Sequence, residues 1–173
     1  SRYGQLRHIQ GCVLTSFGGS AEPDSSGKKN GRPAAATDWH EASEKSGGGP
    51  LLHDGTHLMD IVFFLTGRQP AWVEARLDRQ PGSAIEHHVV GRCLLSGDPA
   101  VEFCFEAGGA RRYFHFEIEL WFDAGRITVG NGIRIAETSV SSRRYSGIRD
   151  LAPDPDFPWH PWAGTAEQVG MEE

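Results

Sequence analysis

The sequence predicts an α+β fold in which an open, predominantly antiparallel β-sheet packs against one main helix. Apolar residues alternate over most of the second half, one stretch has helical spacing, and turn residues separate the alternating stretches. The 173 residues, 38% hydrophobic and 23% charged, suit a single domain over residues 1–173. The sheet face opposite the helix is then open to oligomerisation.

The first predicted strand lies within 6–17, where Ile9, Val13 and Phe17 are evenly spaced. Residues 18–37 are mostly small or polar and have no apolar period, which predicts a long mobile loop. After the glycine run 47–49, one helix of about four turns is predicted. Gly67 stands where this helix would end. Its apolar positions are Leu58, Ile61, Val62 and Leu65.

Further strands are predicted at 71–77, 89–95, 101–106 and 113–123, followed by hairpin turns at 123–125 and 130–132. This order indicates a meander of antiparallel strands. In 113–123 every even-numbered position is apolar, so one face belongs to the core and the other to solvent or a partner. The four prolines of 150–162 exclude a helix interior or a central strand, and they predict an extended tail. A helix-like stretch over 164–173 and the lack of an initiator Met suggest a piece of a longer chain.

Charge and hydropathy exclude two kinds of partner. The formal net charge is −6, so no broad cationic surface would neutralise the phosphates of a nucleic acid. The longest nearly apolar run, 58–65, contains Asp60 and is far shorter than the roughly 20 residues of a membrane-spanning helix. The three cysteines lack metal-type spacing, which favours free thiols and a cytoplasmic location.

The densest polar cluster, His53, Asp54, His57 and Asp60, follows the glycine run. On a helix, the spacing i, i+4, i+7 would place His53, His57 and Asp60 on one face. A histidine beside a carboxylate can take a proton from a hydroxyl near neutral pH, so this pattern indicates an acid–base site. Two alternatives stay open. The residues would cap the helix and bond to its backbone, or His53 and His57 would bind a metal ion, although no third ligand follows them.

The stretch 47–60, GGGPLLHDGTHLMD, followed by Leu65-Thr66-Gly67, resembles the segment after the glycine run in the C-terminal domain of the Gfo/Idh/MocA oxidoreductases. Trp39, the strand start at 70–77 and the hairpin at 119–127 are also similar to that domain. The resemblance implies an NAD(P)-dependent dehydrogenase acting on sugars, polyols or inositol-like substrates. It further implies that a Rossmann domain, absent from this chain, binds NAD or NADP.

The resemblance also assigns roles to individual residues. His57 falls on the family's catalytic His, while His53 occupies the position of a family Asp and Asp54 is displaced by one. We expect His57 to be the acid or base, and His53 or Asp54 to orient it or to bind a second hydroxyl. Asp60 is expected to be structural. Trp39 and His40 are expected to line the substrate pocket, with ordinary packing as the alternative.

Two interpretations of the whole chain follow. In the first, it is the substrate-binding and oligomerising part of an oxidoreductase, and it forms a homodimer through a sheet face carrying Trp72, Tyr113 and Trp121. In the second, it is a non-catalytic binding or assembly module on the same scaffold. The sequence contains neither a Gly-x-Gly-x-x-Gly motif after a strand nor Glu-Lys-Pro, so we expect this chain alone to be inactive.

Overall fold

The computed structural model describes residues 2–15, 28–29, 32–33, 46–109, 113–131 and 133–157. Its helical segment begins with a π-helical turn at Leu51–Gly55 and continues as α1, Thr56–Thr66. No helix in the described ranges has the length and apolar character needed to cross a bilayer. The strands are β1 (Leu6–Leu14), β2 (Lys28–Lys29), β3 (Arg32–Pro33), β4 (Pro70–Asp78), β5 (His88–Leu95), β6 (Val101–Gly108), β7 (His115–Phe122), β8 (Gly125–Gly130), β9 (Ile133–Ser141) and β10 (Arg149–Pro153).

The chain forms two compact units, and β1 contributes residues to both. The helix unit, residues 11–116, holds α1 and orders its strands β1-β6-β5-β4, with β4, β5 and β6 antiparallel. The meander unit, residues 1–10 with 117–173, orders its strands β10-β9-β8-β7-β1. Its consecutive strands β7 to β10 are antiparallel, which confirms the predicted meander. The predicted fold class, an open antiparallel sheet with one main helix, is confirmed as well.

Helix α1 packs on the sheet of the helix unit through Leu58 and Val62, which are fully buried. The Leu58 side chain lies over Gly11 and beside Phe103, where a side chain at position 11 would crowd it. Gly67 ends the helix in the left-handed conformation, and its N–H donates to the Phe63 carbonyl at 2.8 Å. The predicted helix and its end at Gly67 are therefore confirmed.

Several apolar positions of the predicted helix and strands are exposed. Ile61 and Leu65 are exposed because α1 turns only the side of Leu58 and Val62 towards the sheet. Val73 and Leu77 are exposed because β4 is the last strand of its sheet. Phe114 precedes β7 and is exposed, and within 113–123 only Ile118 is buried.

The predicted loop and tail are described only in part. Within 18–37, β2 and β3 form a short antiparallel pair, and the rest of that stretch lies outside the described residues. Strand β10 pairs with β9 at the edge of its sheet, a position that suits Pro153 because an edge strand does not need every N–H. The rest of the tail from 158 onwards, with the predicted helix start at 164–173, also lies outside the described residues.

Candidate functional site

A cavity of about 890 Å³ lies in the helix unit, between the helical segment and strands β4 to β6. Its wall is largely apolar, with Phe63 on the helix side and Val73 and Phe105 on the sheet side. Most ligand pockets have this composition, in which a few polar groups fix the orientation of the ligand. The polar side chains of this wall are Thr56, His57, Asp60 and Glu86.

His57 and Asp60 are the titratable pair that α1 presents to this cavity. Residues three apart on a helix share a face, so both side chains stand on the same side of α1. His57 is exposed, and among the described residues its ring has no hydrogen-bonding partner. Both ring nitrogens can therefore meet a ligand. Asp60, which is expected to be structural, also lines this cavity, close to His57.

His53 and Asp54 pair with each other, with His53 Nδ1 2.9 Å from Asp54 Oδ1. Neither belongs to the wall that His57 and Asp60 share. The reason is local, because the π-helical turn at Leu51–Gly55 is wider than an α-helical turn and shifts the i, i+4 relation between positions 53 and 57. In the described part of the chain, His53 and His57 belong to no cluster of three metal-ligating side chains. The metal alternative therefore gains no support from this geometry.

Cys93 also lines the cavity, on the sheet side. Burial raises the pKa of its thiol, so near neutral pH the sulfur stays protonated. A protonated thiol is a small apolar surface, and it is neither a good nucleophile nor a metal ligand. Cys93 therefore contributes to the apolar part of the wall.

Glu86 is a cavity residue that sequence reasoning missed. Its carboxylate Oε1 accepts the N–H of Gly49 at 3.0 Å and the N–H of Leu51 at 3.2 Å. The residue is buried, with 7% of its surface exposed. Because Glu86 is distant in sequence from the glycine run, local periodicity carries no signal for this contact.

Two predicted pocket residues, Trp39 and His40, lie outside the described residues. The structure therefore brings His57, Asp60 and Glu86 to one cavity and pairs His53 with Asp54 beside it. In the part of the chain that the structure describes, the wall carries the His57 imidazole, the carboxylates of Asp60 and Glu86 and a broad apolar surface.

Comparison with known proteins gives a family match and a set of similar structures. Residues 2–128 match the model of the GFO/IDH/MocA C-terminal domain. A search of curated protein sequences finds no match. An oxidoreductase domain protein from Kribbella flavida is similar in structure, with a TM-score of 0.63 and 19% identity over 93% of this chain and 44% of that chain.

Two further structures show the same fold at low identity. A levoglucosan dehydrogenase in complex with NADH and levoglucosan has a TM-score of 0.64 and 18% identity, covering 88% of this chain and 40% of its own. An inositol dehydrogenase homologue from Azotobacter vinelandii, complexed with NAD+, has a TM-score of 0.63 and 11% identity, covering 92% of this chain and 39% of its own. The chain thus spans less than half the length of these proteins.

Proposed function

The chain belongs to the GFO/IDH/MocA family, matching its C-terminal domain over most of its length, and from that premise we propose that it is the substrate side of an NAD(P)-dependent oxidoreductase. The proposed substrates are sugars, polyols or inositol-like compounds, supported by a levoglucosan dehydrogenase and an inositol dehydrogenase homologue of the same fold. The observation that carries the proposal is the free His57 imidazole on the cavity wall, with Asp60 beside it.

Oxidation of a carbinol requires that the hydroxyl proton leave as the hydride departs. A nicotinamide dinucleotide, when bound, supplies the hydride acceptor. In this chain the neutral His57 imidazole takes the proton, and in the direction of carbonyl reduction the imidazolium returns it. The Asp60 carboxylate accepts a hydrogen bond from a second hydroxyl. The paired His53 and Asp54 side chains are proposed to bind a further hydroxyl.

The cavity wall suits a sugar-sized substrate better than a whole dinucleotide. Among the described residues that line it there is no Lys or Arg to bind a diphosphate. The sequence also lacks a Gly-x-Gly-x-x-Gly motif after a strand. We therefore propose that NAD or NADP is held mainly by protein outside these 173 residues, and that this chain alone does not turn over substrate.

The outer face of the sheet is proposed to bind a second copy of the chain. In the helix unit, Trp72, Leu94 and Val90 share the face opposite the cavity and are exposed. An exposed apolar face of a sheet is typical of an interaction surface. Sedimentation velocity of the purified chain tests this, and a monomer at every concentration would contradict it. Among the described residues the cysteines form no disulfide, which supports the further proposal of a cytoplasmic location.

The His57→Asn variant tests the acid–base role in a protein that joins this chain to its dinucleotide-binding portion. We expect kcat on a panel of polyols and anhydrosugars to fall roughly 10²- to 10⁴-fold, the usual contribution of a positioned acid or base. His115→Asn is the matched control, because His115 lies at the start of β7 and does not line the cavity. Undiminished activity of His57→Asn would remove His57 from the mechanism.

A further inference from the structure

We propose that Glu86 is a positioning residue for His57, holding the start of the helical segment that carries it. The inference rests on the proposed function of His57 and extends it to a residue that would act through the backbone. Glu86 lies in the segment between β4 and β5, two residues before β5 begins, whereas His57 lies on α1. The link between them is the turn at residues 49–55.

A pair of hydrogen bonds to Glu86 holds the start of the helical segment. The N–H groups at the beginning of a helix have no partner within the helix. Glu86 Oε1 accepts from Gly49 and from Leu51, while the Gly49 carbonyl accepts the N–H groups of Leu52 and His53, both at 3.1 Å. Gly49 is thus tied to the carboxylate on one side and to the π-helical turn on the other. A negative charge at this end also suits the helix dipole.

The backbone at Gly49 approaches Glu86 so closely that only glycine fits at position 49. A Cβ at position 49 would collide with the Glu86 carbonyl oxygen and lie 2.9 Å from the carboxyl carbon. The backbone at 49 and the backbone at 86 therefore touch, without the freedom of an intervening side chain. This contact explains why the third residue of the run, position 49, is a glycine.

Hydrogen bonds of the two neighbouring residues, Ile85 and His87, hold Glu86 in place. The Ser83 hydroxyl bonds to the carbonyl and the N–H of Ile85, at 2.9 and 3.2 Å. The His87 N–H donates to Asp78 at 2.9 Å, and the His87 carbonyl accepts from Gly109 at 2.9 Å. His87 is thus bonded to Asp78 at the end of β4, while Ile85 is held by Ser83 within the segment that connects β4 and β5. The carboxylate transmits the position of the sheet to the helix start, six residues before His57.

Amide hydrogen exchange and NMR of the chain test this inference without any turnover. In Glu86→Ala, we expect the Gly49 and Leu51 amides to exchange roughly 10- to 100-fold faster, as for loss of a charge-assisted hydrogen bond. We also expect the His57 ring resonances to shift. Glu86→Gln keeps an acceptor oxygen and should restore the His57 resonances, with exchange at the two amides between the other two rates. Glu74→Gln, on the opposite face of the sheet, is the matched control.

Several outcomes would overturn the inference. Unchanged exchange at Gly49 and Leu51 in Glu86→Ala would remove the hydrogen bonds from the account. Faster exchange with unmoved His57 resonances would show that the helix start does not position the imidazole. If Glu86→Ala does not fold, Glu86→Gln decides, because wild-type exchange at both amides would overturn the role of the carboxylate charge.

A kinetic measurement connects this inference to the chemistry. In a protein that joins this chain to its dinucleotide-binding portion, misplacement of His57 in Glu86→Ala should lower kcat about 10- to 100-fold. KM should change by less than about 3-fold, since the substrate contacts proposed for Asp60 remain, and Glu86→Gln should recover most of kcat. An equal decrease of kcat in Glu86→Ala and Glu86→Gln would overturn the inference. A change in KM without a decrease of kcat would overturn it as well. If His57→Asn stays active, the proposed function fails, whereas the exchange result for Glu86 stands independently.

Discussion

The helix unit and the meander unit are stabilised by different interactions. Among the described residues, eleven of the fifteen buried apolar side chains belong to the helix unit. The meander unit has the other four, and it also buries a polar contact in which the Tyr3 hydroxyl donates to Asp154 at 2.6 Å and Arg2 pairs with the same carboxylate. The helix unit should therefore be sensitive to side-chain volume, and the meander unit to hydrogen bonding and pH.

A second contrast between the units lies in two similar surface clusters. In the meander unit, Arg126 stacks over Trp121 at 4.9 Å and bonds to Glu137 at 2.7 Å. In the helix unit, Arg92 stacks over Trp72 at 5.3 Å and bonds to Glu74 at 3.0 Å. The Arg126 side chain is 26% exposed and that of Arg92 is 55% exposed. Solvent screens the second cluster more strongly, so the same chemistry contributes less there.

The largest predicted effect is on the core of the helix unit. Leu58→Ala would leave a void over Gly11 and Phe103, and it should lower the free energy of unfolding by about 2–5 kcal/mol. Leu65→Ala, at an exposed position on the same helix, should change it by less than about 0.5 kcal/mol. Urea denaturation measures both. Equal effects of the two variants would show that α1 does not pack as described.

The next effect is on the polar interior of the meander unit. Tyr3→Phe leaves the ring in place and removes only the hydrogen bond to Asp154. This change should lower the free energy of unfolding by about 1.5–3 kcal/mol. Tyr145→Phe is the control, because Tyr145 is exposed in the same unit. If hydrogen exchange in β8 and β9 is unchanged in Tyr3→Phe, the contrast between the two units is wrong.

At neutral pH, Asp154→Asn should lower the free energy of unfolding by less than Tyr3→Phe does, because asparagine keeps an acceptor for Tyr3. The effect of Asp154→Asn should also depend on pH. The hydrogen bond from Tyr3 holds the pKa of Asp154 below its ordinary value, and Arg2 lowers this pKa further. Together they outweigh burial, which raises it. A lowered pKa in the folded state stabilises the fold above the unfolded pKa of about 4, and this stabilisation is lost as the pH falls further. The Tm of Asp154→Asn should therefore fall less than that of the wild type between pH 5 and pH 2. Parallel curves would contradict this account.

The smallest effects concern the two arginine clusters. Arg126→Ala should lower the free energy of unfolding by about 1 kcal/mol, and Arg92→Ala by less than about 0.5 kcal/mol. Raising the salt concentration should reduce the loss in Arg92→Ala more than the loss in Arg126→Ala. Urea titrations at low and high salt measure both differences. Equal losses would mean that burial does not distinguish the clusters.

The sequence predicted those features that follow from local pattern. The alternation in 113–123, the spacing of Leu58 and Val62 and the terminating Gly67 each depend on neighbours within a few residues, and the strand, the helix and its end followed. Burial did not follow from the same patterns. Val73 and Leu77 have the pattern of a core strand, but β4 is an edge strand, and strand order does not follow from periodicity.

The candidate site divides in the same way. The run 47–60 by itself determined that His57 would stand on a helix after three glycines, because glycine, proline and helical spacing act over one or two turns. Only the tertiary structure decided that Asp60 shares a cavity wall with His57, that His53 turns to Asp54, and that Glu86 reaches Gly49. The physical reason is that a wider helical turn and a hydrogen bond across 37 positions depend on how distant segments pack, and no local pattern in the chain encodes them.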